Sequence, residues 1–193
     1  MSGGFIVVLA ILAFAAVTIF KGVRIVPQGY KWIVQRLGKY HTTLNPGLNF
    51  VIPYVDEVAY KVTTKDIVLD IPSQEVITRD NAVLLMNAVA YINITTPVNA
   101  VYGIENYTWA IQNLVQTSLR SIVGEMDLDD ALSSRDHIKA KLKAAISDDI
   151  SDWGITLKTV EIQDIQPSST MQAAMEAQAA AERQRRATVT KAD

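Results

Sequence analysis

The sequence predicts an α+β protein: an N-terminal transmembrane helix, a mostly antiparallel β domain with packed helices, and the start of a C-terminal coiled-coil helix. Three observations predict it. No charged side chain occurs between Met1 and Phe20. Apolar residues then alternate with the period of two that marks strands. Near Pro97 the period lengthens to that of helices, and it shortens again from Ile155.

The segment Phe5–Phe20 contains eleven Phe, Ile, Val or Leu residues, which together favour bilayer insertion by roughly 3 to 7 kcal/mol. Twenty helical residues rise about 30 Å, the thickness of the hydrocarbon layer. A cleaved signal peptide would carry a basic stretch ahead of its apolar run, and none is present. Residues 1–22 are therefore read as a permanent anchor. Lys21, Arg24, Lys31 and Arg36 follow it closely. The positive-inside rule then places the N-terminus outside and the remainder in the cytoplasm, with the protein single-pass.

Residues 23–95 read as strands and turns. Tyr30–Leu37 is rich in β-formers, and Gly38 and Asn45-Pro46-Gly47 supply turn chemistry. Asp80-Asn81 is placed at a hairpin tip. After it, Leu84, Met86, Ala88, Ala90, Ile92 and Ile94 share the buried face of one long strand. Residues 96–166 form the α/β part. Ile111, Leu114, Val115, Leu119, Ile122 and Val123 mark a helix stopped at Gly124. A second helix, capped by Ser133 or Ser134, carries Ile138, Leu142, Ile146, Ile150 and Trp153 and ends at Gly154. Its closing acids Asp148, Asp149 and Asp152 oppose the helix dipole, which predicts a basic partner. The strand Ile155–Ile165 slips phase near Thr159, which suggests a bulge. Residues 167–193 are rich in Ala, Gln, Glu and Arg. This is the start of an oligomer coil, with Met171, Met175 and the i,i+4 pair Glu182/Arg186 as its contact residues.

Net charge is −2, unevenly spread. Residues 1–65 carry +5, residues 66–166 carry −8, and the tail carries +1. A basic region beside a bilayer gains roughly 1 kcal/mol per residue from anionic headgroups. Lys21, Arg24 and Lys31 are the candidate membrane-surface contacts. Phe50, Ile52 and Tyr54 join them from the apolar run Leu48–Val55, which either dips into the interface or packs as a core strand. The basic and acidic parts could alternatively meet between neighbouring subunits. No basic stripe of a nucleic-acid binder is present.

Catalytic constellations are weak. Ser134, Asp136 and His137 lie within one helical turn, where their side chains splay apart and read as a cap with solvated charges. His41 and His137 are the only histidines, and there is no cysteine, so neither a His-based metal site nor a thiol nucleophile is indicated. Asp127, Asp129 and Asp130 lack calcium-loop spacing and read as helix N-terminal charge. No catalytic, cofactor or metal residue is assigned.

Several motifs occur in order after the anchor. They are Val26-Pro-Gln-Gly29, Gln35-Arg-Leu-Gly-Lys-Tyr40, Leu44-Asn-Pro-Gly-Leu48 and Ile52-Pro53, then Leu69-Asp-Ile-Pro-Ser-Gln-Glu-Val76 with Thr78-Arg-Asp-Asn81. Leu119-Arg120, Arg135, Trp153-Gly-Ile155, Val160-Glu-Ile162, Ala181-Glu-Arg183 and Arg185-Arg-Ala187 follow. In these the chain resembles the SPFH (band 7) superfamily of stomatins, prohibitins and flotillins, most of all the bacterial stomatin-like, paraslipin (QmcA-type) proteins. The resemblance implies a non-enzymatic scaffold that forms homo-oligomeric rings or cages and organises lipid microdomains. It also implies regulation of membrane proteases, with an FtsH-type protease or an NfeD-type protein as partner. The alternative is a membrane-associated hydrolase or protease subunit. Two departures stand out: Pro167-Ser168 replaces the usual Pro pair, and the chain stops before the long coil and apolar segment of the family. It is accordingly read as a fragment or a truncated form.

Overall fold

The computed structural model describes residues 3–190, with side chains from Gly4 to Arg186. Residues 1–2 of the expected anchor and 191–193 of the expected coil lie outside the described residues. The anchor forms helix α1, Gly3–Gly22. Within Gly4–Gly22 an 18-residue window has a mean hydropathy of 2.5 and no buried residue, and the helix is long and apolar enough to cross a membrane. The Thr18 hydroxyl donates to the Phe14 carbonyl at 2.8 Å, which satisfies a polar group on this apolar surface.

The chain packs as two compact units, the first comprising residues up to Asp66 with Asn93–Glu105 and Asp152–Ile155. It holds α1, strands β1 (Val23–Val26), β2 (Tyr30–Arg36), β3 (Lys39–Leu44), β4 (Gly47–Phe50) and β5 (Asp56–Thr63), and the short helix α2 (Pro97–Tyr102). β1 and β4 form a two-stranded antiparallel ribbon, while β3-β2-β5 form a second sheet. Leu37 and Gly38 both have positive φ, as a two-residue primed hairpin turn requires. The core gathers Val26, Val34, Leu44 and Val51 against Trp32 and Val58. Pro97 starts α2, where its missing N–H costs nothing. Gly154 accepts from the backbone N–H groups of Thr95 and Thr96, both at 2.9 Å.

The second unit comprises Ile67–Ile92, Asn106–Ser151 and the residues from Thr156. It holds most of strands β6 (Ile67–Ile77), β7 (Val83–Ile94) and β8 (Ile155–Pro167), ordered β6-β7-β8. The helices α3 (Tyr107–Gly124), α4 (Leu128–Ser133), α5 (Arg135–Ser151) and α6 (Ser169–Thr190) belong to it as well. The even-numbered face of β7 is buried as its alternation predicts, with Leu84, Met86, Ala88, Ala90 and Ile92 all fully enclosed. Ile111, Val115 and Leu119 of α3 and Ile138, Leu142, Ile146 and Ile150 of α5 are likewise at zero exposure. At the β6–β7 tip Asn81 takes a positive φ. The Thr78 hydroxyl donates to Asp80 at 2.5 Å and accepts from the Ala82 N–H at 3.0 Å. Both Asp80 carboxylate oxygens receive the Leu128 N–H at 3.2 Å, which ties the tip to the start of α4.

Several details differ from the sequence reading. The two compact units interleave along the chain, the first taking Asn93–Glu105 and Asp152–Ile155 besides the residues up to Asp66. α3 ends at Gly124 as expected, the chain leaves through Glu125 in right-handed conformation, and the short helix α4 intervenes before α5. Asp148, Asp149 and Asp152 are exposed, and among the described residues none of the three forms an ion pair. Exposure explains this: hydrated carboxylates at a helix end cost only a few tenths of a kcal/mol. The burial phase of β8 does slip near Thr159, from Ile155 and Leu157 to Val160.

Candidate membrane-facing site

In the β1–β4 ribbon Val23 is opposite Phe50 and Ile25 opposite Leu48, so these four apolar residues share one face. The other face turns Val26 into the core. Ile25 is 70% exposed, Leu48 63% and Phe50 70%. Burying such side chains is worth roughly 1.5 to 3 kcal/mol each. This exposed apolar face begins on the strand that directly follows the apolar helix α1.

The loop between β4 and β5 runs beside the end of α1. The Val51 N–H donates to the Gly22 carbonyl at 2.8 Å, satisfying one orphan acceptor of the helix end. A Cβ on Gly22 would lie 2.8 Å from the Val51 carbonyl oxygen, so the two backbones meet where only glycine fits. Tyr54 has φ of 75°, unusual for a bulky residue. Its ring stacks on Phe14, and Lys21 Nζ lies 5.8 Å from the Tyr54 ring centroid. Ile52 is also exposed.

Asp56 fixes the base of this loop. Its carboxylate accepts Arg36 Nε at 2.6 Å and Arg36 Nη2 at 3.0 Å, and takes the Ile52 N–H at 2.9 Å. The Arg36 hydrogen bonds hold its pKa down to about 2, against an opposing effect of burial and with help from the Ile52 N–H.

Of the six residues assigned to the membrane surface from sequence, Lys21, Arg24 and Tyr54 line one cleft at the foot of α1, Phe50 is on the ribbon face opposite to Arg24, and Ile52 is exposed in the loop that follows. Lys31 does not join them; it pairs with Val62 in the other sheet. Sequence reasoning missed Phe14, Ile25 and the Arg36–Asp56 pair. Ile25 was within reach, because it alternates with Val23 on the strand that leaves the anchor. The coil residues lie on α6, where Met171 is half-buried, Met175 is exposed, and Glu182 pairs with Arg186 at 3.0 Å.

Around Ser134, His137 offers its backbone N–H to the Ser134 carbonyl, as a helix start does. Among the described residues no hydrogen bond joins the side chains of Ser134, Asp136 and His137. Asp127 is held by Arg79, whose Nε donates at 2.9 Å, and Asp129 and Asp130 occupy the first turn of α4.

The SPFH domain / Band 7 family matches residues 24–193. The chain belongs to this family. A stomatin homolog of Pyrococcus abyssi is 40% identical over 189 residues, covering 98% of this chain and 70% of that protein. Human stomatin-like protein 2, mitochondrial, is 38% identical over 168 residues, 87% of this chain and 47% of its own length. An uncharacterized protein of Mycobacterium tuberculosis is 35% identical over 190 residues, 98% of this chain. The chain spans 50% of that mycobacterial protein. SPFH and stomatin-like membership supports a membrane-associated scaffold in general.

Proposed function

We propose that this SPFH chain is the anchoring part of a homo-oligomeric scaffold that confines a patch of membrane. The observation that carries it is the combination of the apolar helix α1 with an exposed apolar face on the β1–β4 ribbon that follows it. An anchor alone tethers a domain that can tumble. An anchor with a second apolar face beside it holds the domain in one orientation, and side-by-side assembly on a bilayer needs that orientation. The ring or cage, the microdomains it encloses, and an FtsH-type protease or NfeD-type partner are parts of this proposal that rest on the family resemblance. So are the bacterial inner membrane and the orientation, for which the basic residues Lys21 and Arg24 after α1 speak.

The test combines flotation and crosslinking. Protein reconstituted with liposomes is expected to float with them after a carbonate wash, and an amine-reactive crosslinker is expected to give a ladder of multimers in the vesicles. Protein that floats but remains monomeric at every crosslinker dose would contradict the scaffold.

A further inference from the structure

At the foot of α1 a cleft of about 520 Å³ is lined by Phe20, Lys21, Arg24, Val51, Pro53, Tyr54 and Asp56. That volume lies within the roughly 300–1,000 Å³ that accommodates a small organic group. Its composition is split. Phe20, Val51, Pro53 and Tyr54 give an apolar wall. Lys21 and Arg24 supply two cations, and among the described residues neither forms an ion pair. The one acid, Asp56, has its carboxylate committed to Arg36 and the Ile52 N–H. The cleft is thus left with positive charge to be answered from outside.

Depth narrows the ligand. Tyr54 stacks on Phe14 of α1, and Lys21 Nζ lies 5.8 Å from the Tyr54 ring centroid, so cation and aromatic wall stand side by side against the apolar helix. With α1 in a bilayer, a site at the charged end of the helix lies near the headgroups, where a phosphate and the first acyl carbons occur together. A soluble anion would use only the cations and leave the wall unused. An anionic phospholipid uses both.

We propose that this cleft binds one anionic phospholipid per chain, its phosphate held by Lys21 and Arg24 and the start of its acyl chains laid against Tyr54 and Phe20. The proposal rests on the membrane reading above and adds a stoichiometric, headgroup-selective site to it. Arg24 also lines a neighbouring cleft with Trp32, Glu57 and Lys61, where Lys61 Nζ lies 4.6 Å from the Trp32 ring centroid. The proposed phosphate is therefore drawn to the Lys21 side, away from the Glu57 carboxylate.

The test places the full chain in phosphatidylcholine nanodiscs containing a minor share of phosphatidylglycerol and reads retained lipid by native mass spectrometry. The wild type is expected to keep one phosphatidylglycerol per chain. The K21Q/R24Q variant is expected to bind it roughly thirtyfold more weakly, given the usual contribution of a basic side chain at an anionic surface. A K39Q variant, which removes an exposed cation outside the cleft, is expected to match the wild type. Equal retention by K21Q/R24Q and wild type would overturn the proposal. So would a bound orthophosphate in discs of phosphatidylcholine alone, supplied with phosphate buffer. Failure of the wild type to enter nanodiscs at all would instead remove the membrane reading on which the site depends.

Discussion

The ring of Tyr54 lies parallel to that of Phe14, with centroids 6.5 Å apart and planes within 5°. The contact brings a loop residue against the middle of a helix whose own sequence is apolar on every side. Tyr54 reaches it from a left-handed backbone with φ of 75°. For a non-glycine residue such a conformation costs on the order of 1–3 kcal/mol, and it persists only where neighbours impose it.

Two substitutions separate the backbone from the ring. Tyr54→Ala keeps the strained φ and loses the stacking; Tyr54→Gly loses the ring and releases the strain. The glycine variant is expected to be more stable than the alanine variant by about 1 kcal/mol. Thermal melts in one detergent check this, and equal midpoints would show that the loop relaxes out of the left-handed region without its ring.

The Arg36–Asp56 pair makes loop stability depend on pH. The folded pKa of Asp56 is lowered to about 2 from an ordinary 3.8. A depressed carboxylate contributes stability that is present above its unfolded pKa and lost as pH falls through the folded one. The contribution is therefore full at neutral pH and fades between about pH 4 and pH 2. Asp56→Asn is expected to cost about 1–3 kcal/mol at pH 7 and to flatten that acid limb. Melting temperature against pH for both proteins is the measurement, and parallel acid limbs would contradict the assignment.

Much of this arrangement is legible in the residues themselves. The uncharged run before Lys21 announces α1, and the alternation from Leu84 to Ile94 announces the buried face of β7. Both signals are local, set by a repeat that one chain segment carries alone. What stays hidden is pairwise. Nothing in the spacing of Phe14 and Tyr54 indicates a stacked pair, because 39 residues and several turns intervene. Arg36 and Asp56 read as two surface charges until β2 and β5 are set side by side. The ribbon face is half legible: the apolar run marks Phe50 with Leu48 and Ile52, but its cross-strand partner Val23 and neighbour Ile25 depend on register. The first unit's leading segment ends at Asp66, where the sequence turns from net basic to net acidic, although the period of its apolar residues does not change there.

Two glycines with positive φ give a contrast within the first unit. Gly38, with φ of 82°, has open space where a Cβ would sit, whereas a Cβ on Gly154 would strike the Thr96 carbonyl and side chain. Gly38→Ala is expected to cost about 1 kcal/mol from the backbone alone. Gly154→Ala is expected to cost more than twice that, because the Thr96 backbone must also move. Chemical denaturation of the two variants decides it, and equal losses would mean that the Thr95–Thr96 turn yields freely.

The central claim is that the ribbon face beside α1 lies in the membrane interface. The chain has no cysteine, so single cysteines at Ile25, Phe50 and Lys39 can each carry a nitroxide in reconstituted vesicles. Power-saturation electron paramagnetic resonance then compares contact with dissolved oxygen, which concentrates in lipid, and with a water-soluble nickel chelate. Labels at Ile25 and Phe50 are expected to favour oxygen, and the label at Lys39 to favour nickel. A Phe50 label as open to nickel as the Lys39 label would contradict the account.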